Sequence, residues 1–466
     1  MGITIKETQK RLRNKETTPE EVVSDFLSLI KDKNKEMNVF LDVFQDTVQE
    51  MKEKDPDLPL YGAVFGIKDN ILIKGKRCTA GSKILENYNA SFDATVIEKI
   101  KEKGGVFIGK TNMDEFAMGS STENSGFGPT RNPYDLERVP GGSSGGSAVA
   151  VSAGMCNTAL GSDTGGSVRQ PAAFCGVVGF KPTYGAISRS GVISMASSFD
   201  QVGVFANTVE DTKLVFDSIR GKDERDSVTV DFNGGLAETK KKDKIVVGVP
   251  KEYFVEGISS QVKESIEEAL SKIKGKEIEL VDISLPHTEY ALPVYEIIMA
   301  SEVSSNLARY DGVRYGREDT ESAMKSIEEL YMKNRGKGLG TEAKRRVVLG
   351  TYTLSSGYYD AYYIKAQKVR ALIIDDFKKA FQEVDAIITP TTPTLPFKIG
   401  EKIEDPLTMH LSDIFTVTAS ISGLPAISIP CAKKNGLPVG VQLIGDRFKE
   451  ELLFNIAEKF EKIWQI

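Results

Sequence analysis

Two glycine–serine clusters set close together force a chain to turn sharply twice, and residues 140–171, PGGSSGGSAVAVSAGMCNTALGSDTGGSVRQP, carry two such clusters. The clusters at 141–147 and 161–167 flank a small-residue apolar segment. Its AVAVSAG part is small enough to lie against other backbone, and residues 157–160 read as a short buried strand. Glycine has no Cβ, so backbone N–H groups beside it can approach a ligand closely. The interleaved serines supply hydroxyls that can attack, relay a proton or cap a helix. A flexible linker is the ordinary reading of Gly/Ser-rich sequence. A linker would not alternate with apolar segments and end in Ser167-Val168-Arg169-Gln170-Pro171. A phosphate-binding loop needs GxxxxGK[ST], and no lysine follows either cluster at that spacing. Nucleophilic catalysis is the favoured reading.

The remaining composition narrows the class. With 466 residues, the chain holds two or three domains or one large α/β domain. It is 40% hydrophobic and 27% charged, as an ordinary soluble protein is. No apolar run is long enough to span a membrane, and the opening MGITIKETQKRLRNKE lacks an apolar signal core. A cytoplasmic protein without membrane contact is expected. Sixty basic residues against 66 acidic ones give a net charge of −6, which argues against holding nucleic acid by a general electrostatic field. Cys78, Cys156, Cys175 and Cys431 form no CxxC pair and read as buried thiols, with no zinc or other metal site expected. A Ser-His-Asp triad would have to use His287 or His410, the only two histidines.

Along the chain, Thr18-Pro19-Glu20-Glu21 signals a helix start. In AVFGIKDNILIKG, Lys68 interrupts apolar residues and reads first as a surface lysine at a turn. Helix at 93–103 followed by strand at 105–109 favours an α/β sheet. Residues 221–244, with Lys240-Lys241-Lys242, read as a solvated connection. Residues 288–380 are mainly helical, with 335–340 (RGKGLG) an exposed, flexible interruption. The tyrosines between 358 and 363 read as packing residues. Late strands are expected at 386–389, 426–429 and 439–444, then an amphipathic helix.

GGSSGGS, then GSDTGGSVRQP, with KDN upstream, resembles the amidase signature family in both motifs and spacing. The resemblance implies a Ser–cis-Ser–Lys triad. Ser167 would be the nucleophile that forms an acyl-enzyme. Ser143, preceded by a cis peptide, would relay the proton. Lys68 would be the base, neutral because burial lowers its pKa. Backbone N–H groups of Thr164, Gly165, Gly166 and Ser167 would form the oxyanion hole. Asp163 and Arg169 read as a structural ion pair supporting that loop.

Further matches span almost the whole chain: NMDEFAMGSSTENS, KPTYGAISRSGVISMASSFDQVG, SSNLARYDGVRYG, LSSGYYDAYYIKAQKVR and DPLTMHLSDIFTVTASISGLPAISIP. They resemble one branch of the family, the A subunits of tRNA-dependent amidotransferases. That resemblance implies a glutaminase releasing ammonia for transamidation of Glu-tRNA(Gln), Asp-tRNA(Asn) or both. Partner subunits B and C would complete a heterotrimer, bind the mischarged tRNA and use ATP and Mg; this chain would hold no cofactor tightly. Arg346 and Asp413, with Tyr295 as a further candidate, would receive the charged groups of glutamine. The expected fold is one large α/β domain over 1–466, a mixed twisted sheet with helices on both sides. Within it, 1–57 form an N-terminal helical segment, 58–200 the signature core and 201–466 the remainder. A standalone amidase for simple amides and a non-catalytic nucleotide-binding scaffold are the alternatives.

Overall fold

The computed structural model describes residues 2–231, 244–254, 257–275, 277–316 and 326–464. The Lys240–Lys242 run lies outside these. Among the described residues eleven strands occur in chain order: β1 Phe40–Val43, β2 Val64–Lys68, β3 Val106–Thr111, β4 Thr158–Asp163, β5 Val178–Lys181 and β6 Gln201–Ala206, then β7 Ile245–Pro250, β8 Ile278–Ile283, β9 Ala386–Pro390, β10 Ala426–Lys434 and β11 Leu437–Ile444. They form one sheet in the order β1-β3-β2-β4-β6-β5-β10-β11-β9-β7-β8. The sheet is mixed: β2 runs parallel to β3 and β4, β7 runs parallel to β8 and β9, and the central strands pair antiparallel. This is the expected α/β architecture.

Both faces are covered, and alternation along the strands shows it. Side chains two apart share a face of a strand. Phe65, Ile67, Leu160, Ile388, Ile427 and Leu443 enter one continuous core with Ile97, Phe216, Ile266 and Phe454, all from helices on that face. On the opposite face Val64 and Ala159 meet the helix Gly145–Ser152 and the helix Pro19–Met37. Further along it, Ile387, Ala426 and Ile444 meet the helices Ala291–Leu307 and Lys365–Ala380. Gly66 and Lys68 share parity with Val64, so Lys68 projects onto the face occupied by the helix Gly145–Ser152.

Three local readings take definite form. AVAVSAG, small enough to lie against backbone, mostly forms the buried helix Gly145–Ser152. Its Gly146 is required by close approach, since a Cβ there would stand 2.4 Å from the Asn112 carbonyl oxygen. Within RGKGLG the interruption narrows to Leu339–Gly340: Arg335–Gly338 finish the helix Ile327–Gly338, where Arg335 Nη1 donates to the carbonyls of Leu307 (2.8 Å) and Tyr310 (2.9 Å). The tyrosines between 358 and 363 are packing residues, as expected: Tyr358, Tyr359 and Tyr362 lie exposed against neighbouring tyrosines, the Tyr352 and Tyr358 rings 4.4 Å apart, and Tyr363 packs against the core.

Candidate active site

Parallel pairing of β2 with β4 brings their C-terminal ends to one edge of the sheet. Strand ends of this kind are where α/β sheets place ligands, because the loops leaving them diverge. Lys68 ends β2 and Asp163 ends β4. The Lys68 side chain is fully buried rather than at a surface turn. Its Nζ lies 2.8 Å from Ser143 Oγ, 2.7 Å from Ser144 Oγ and 3.2 Å from the Ser162 carbonyl oxygen. Burial pulls its pKa down to about 7, against the opposing fields of Asp114, Asp163 and Asp200.

Lys68 Nζ donates to all three oxygens. Ser144 Oγ passes its own proton to the Ser162 carbonyl at 3.1 Å, and that carbonyl can only accept. Ser143 is thus the one partner able to donate in return once Lys68 loses a proton. Ser143 itself follows a cis Gly142–Ser143 peptide. Gly142 N–H donates to Gln170 Oε1 at 2.9 Å, tying the two glycine–serine loops together.

The second loop turns between Asp163 and Arg169. These two form a buried, two-pronged ion pair, with Arg169 Nε 3.0 Å from Asp163 Oδ2 and Nη2 2.9 Å from Oδ1. Arg169 continues to the Thr416 carbonyl, Gln442 Oε1 and Ser420 Oγ, and the Asp163 carboxylate also receives the Val168 N–H at 3.1 Å. The pair thus staples the ends of the turn, as expected. Inside it, the N–H groups of Thr164, Gly165, Gly166 and Ser167 donate to no protein acceptor among the described residues. Buried backbone donors are ordinarily paired, so four consecutive free ones make a ready anion cradle. Ser167 is 7% exposed, and its hydroxyl joins no hydrogen bond among the described residues. Ser143 therefore contacts Lys68 here, without a hydrogen bond to Ser167.

Tyr295, Arg346 and Asp413 gather beside the turn. A Cβ on Gly165 would stand 2.7 Å from Tyr295 Cζ, so the tyrosine ring lies directly against the cradle. Tyr295 is held above its ordinary pKa by burial and feels the charges of Arg346 and Asp413. Arg346 donates through Nε to Glu342 at 2.5 Å and through Nη1 to Met299 Sδ at 3.1 Å, which leaves Nη2 available. Asp413 Oδ2 accepts from Ser120, whereas its buried Oδ1 has no partner among the described residues. Burial raises the Asp413 pKa to about 7. One cationic and one acidic group with open valences suit a zwitterion.

A model of the Amidase family matches residues 21–454. The A subunit of the glutamyl-tRNA(Gln) amidotransferase of Persephonella marina is 54% identical over 98% of this chain and 96% of its own length. Its counterpart in Carboxydothermus hydrogenoformans is 51% identical over 99% and 97%. The crystal structure of the corresponding Thermotoga maritima protein superposes with a TM-score of 0.83 at 45% identity, covering 99% of this chain and 94% of that one. This chain belongs to the amidase family.

In this amidase neither histidine takes the base position. His287 Nδ1 bonds Asp376, and His410 Nε2 accepts from Arg345. The four cysteines are buried and unpaired. Among the described residues no cluster of three or more His, Cys, Asp or Glu side chains is placed to hold a metal ion, and no helix is long and apolar enough to cross a membrane. Several supporting residues carry no clear signal in the sequence. Ser144 is a second hydroxyl on Lys68, and its position next to Ser143 is the only cue. Asp200 accepts from Thr164 Oγ1 at 2.8 Å, and Thr416 Oγ1 donates to the Gly165 carbonyl at 2.7 Å. Both come from distant segments, where spacing says nothing.

Proposed function

We propose that this amidase hydrolyses glutamine to glutamate and ammonia, and delivers the ammonia to partner subunits that amidate a tRNA-borne carboxyl group. The buried Lys68 amine, 2.8 Å from Ser143 Oγ and with its pKa drawn down to about 7, carries this reading. Ser167 Oγ attacks the amide carbon while its proton passes to Ser143 Oγ, whose own proton passes to Lys68 Nζ. This needs a Ser143–Ser167 hydrogen bond in the substrate complex. Negative charge developing on the carbonyl oxygen is met by the amides of residues 164–167; one such donor is worth about 2.7–4 kcal/mol in the barrier. The proton returns along the same path to the leaving nitrogen, and ammonia departs from a Ser167 ester. Water then attacks that ester, giving glutamate and restoring the Ser167 hydroxyl.

Arg346 Nη2 would take the substrate α-carboxylate and Asp413 Oδ1 its α-ammonium, with Tyr295 walling the pocket. Full-length likeness to components of glutamyl-tRNA(Gln) amidotransferases supports the choice of glutamine over simple amides. Subunits B and C would bind the mischarged Glu-tRNA(Gln), Asp-tRNA(Asn) or both, and use ATP and Mg. A net charge of −6 on this chain suits a division in which tRNA sits on the partners. The test is glutamate release from glutamine, beside a panel of simple amides, with and without the partner subunits and with Ser167→Ala as control. Glutamine turnover that rises with partners supports the proposal. Turnover of simple amides alone would make the protein a standalone amidase.

A further inference from the structure

The three residues assigned to glutamine recognition come from three separate elements, and each stands near a member of one polar cluster. Tyr295 precedes Glu296 in the helix Ala291–Leu307. Arg346 follows Arg345 in the helix Thr341–Leu354. Asp413 lies three residues after His410, across the turn Leu411–Asp413. His410 is wedged between the other elements: its Nδ1 lies 3.2 Å from Glu296 Oε1, and its Nε2 lies 3.2 Å from Arg345 Nη2 and 4.0 Å from Glu342 Oε1.

The proton on this imidazole can be placed. An arginine nitrogen has no lone pair to offer, so Nε2 must accept from Arg345. With Nε2 accepting, the ring's donor is Nδ1, which faces Glu296. Arg345 also pairs through Nε and Nη2 with Glu342, which takes Arg346 as well. Burial places Arg346 among two carboxylates, Glu296 and Glu342, both favouring its charge. Glu296 is held by His410 while still favouring the Arg346 charge, Arg346 Nε bonds Glu342 directly, and its outer nitrogen has no bonded partner among the described residues.

We propose that the Arg345–His410–Glu296 clasp is a specificity device: it fixes Tyr295, Arg346 and Asp413 in register for a zwitterionic amino-acid amide. His410 is a positioning residue, acting on substrate through Arg346 and Asp413. This rests on the glutaminase reading above.

The experiment compares glutamine with a neutral simple amide in the full chain with its partner subunits. His410→Phe keeps a ring but can neither accept from Arg345 nor donate to Glu296. It should raise the KM for glutamine about tenfold, the order expected for losing one hydrogen bond to a charged group. The ratio of kcat/KM for glutamine to that for the neutral amide should fall by a similar factor. His410→Gln, with one acceptor and one donor, should recover most of the loss. Glu296→Ala should reproduce the His410→Phe pattern, and serves should the phenylalanine variant not fold. An unchanged ratio, equal losses on both substrates, or no difference between the Gln and Phe variants overturns the clasp. Wild-type protein that fails to turn over glutamine overturns the underlying reading as well, which separates the two failures.

Discussion

In the proposed mechanism Lys68 sets the pH behaviour. Only its neutral form has a lone pair for the Ser143 proton, and burial places its pKa at about 7. Protonation below that pH blocks the relay, so kcat/KM should climb as pH rises through about 7 and then level; a flat profile from about pH 6 to 8 would exclude Lys68 as the base. Lys68→Ala should lower kcat by roughly 10²–10⁴-fold, the usual contribution of a general base, read in steady-state assays on the plateau of that profile. In the proposed glutaminase Asp413 would act on binding instead. Asp413→Asn removes the charge opposite the substrate ammonium and should raise the glutamine KM roughly 10–100-fold, the equivalent of about 1.5–3 kcal/mol for a charged hydrogen bond. A loss confined to kcat would place Asp413 outside the binding pocket.

The turn between β4 and the helix Arg169–Cys175 holds the cradle, and its stability is testable separately from its chemistry. Arg169→Met leaves the Asp163 carboxylate buried without its cation. Breaking a buried pair from one side costs about 3–5 kcal/mol, so a lowered denaturation midpoint should accompany lost activity. Gly166 tests shape alone: its φ is +146° and a Cβ would stand 2.1 Å from Thr416 Oγ1. Gly166→Ala should therefore disable the cradle while Lys68 and Ser143 remain in place, seen as a kcat loss with glutamine binding retained. The glycine–serine clusters made this turn legible in the sequence, because only such residues permit free amides and close backbone approach together. The Thr18 capping box and the strands around residues 106–109, 386–389, 426–429 and 439–444 were legible for the same local reason, whereas β1 and β6 were not. Lys68 was ambiguous, since one lysine in an apolar run looks alike whether it faces solvent or Ser143. Arg335–Gly338 misled because glycine weakens a helix locally, whereas Arg335's bonds to the Leu307 and Tyr310 carbonyls are tertiary.

At the scale of the whole molecule, the sheet does one thing for function: parallel β2 and β4 deliver Lys68 and the Asp163 turn to the same edge, while helices from residues 291 to 354 close the far side with Tyr295 and Arg346. Strand order could not be read from the sequence, because the hydrophobic runs of β4, β5 and β6 are alike and their neighbours are chosen by tertiary packing. The same holds for the gathering of Tyr295, Arg346 and Asp413, which family resemblance named but no spacing links. The proposed mechanism turns on an acyl-enzyme at Ser167. The decisive experiment is the intact mass of the chain after treatment with a glutamine-like electrophile, followed by peptide mapping. One adduct per chain on Ser167, absent in Ser167→Ala, is the outcome expected. No stoichiometric adduct, or one carried by another side chain, would rule out Ser167 as the nucleophile.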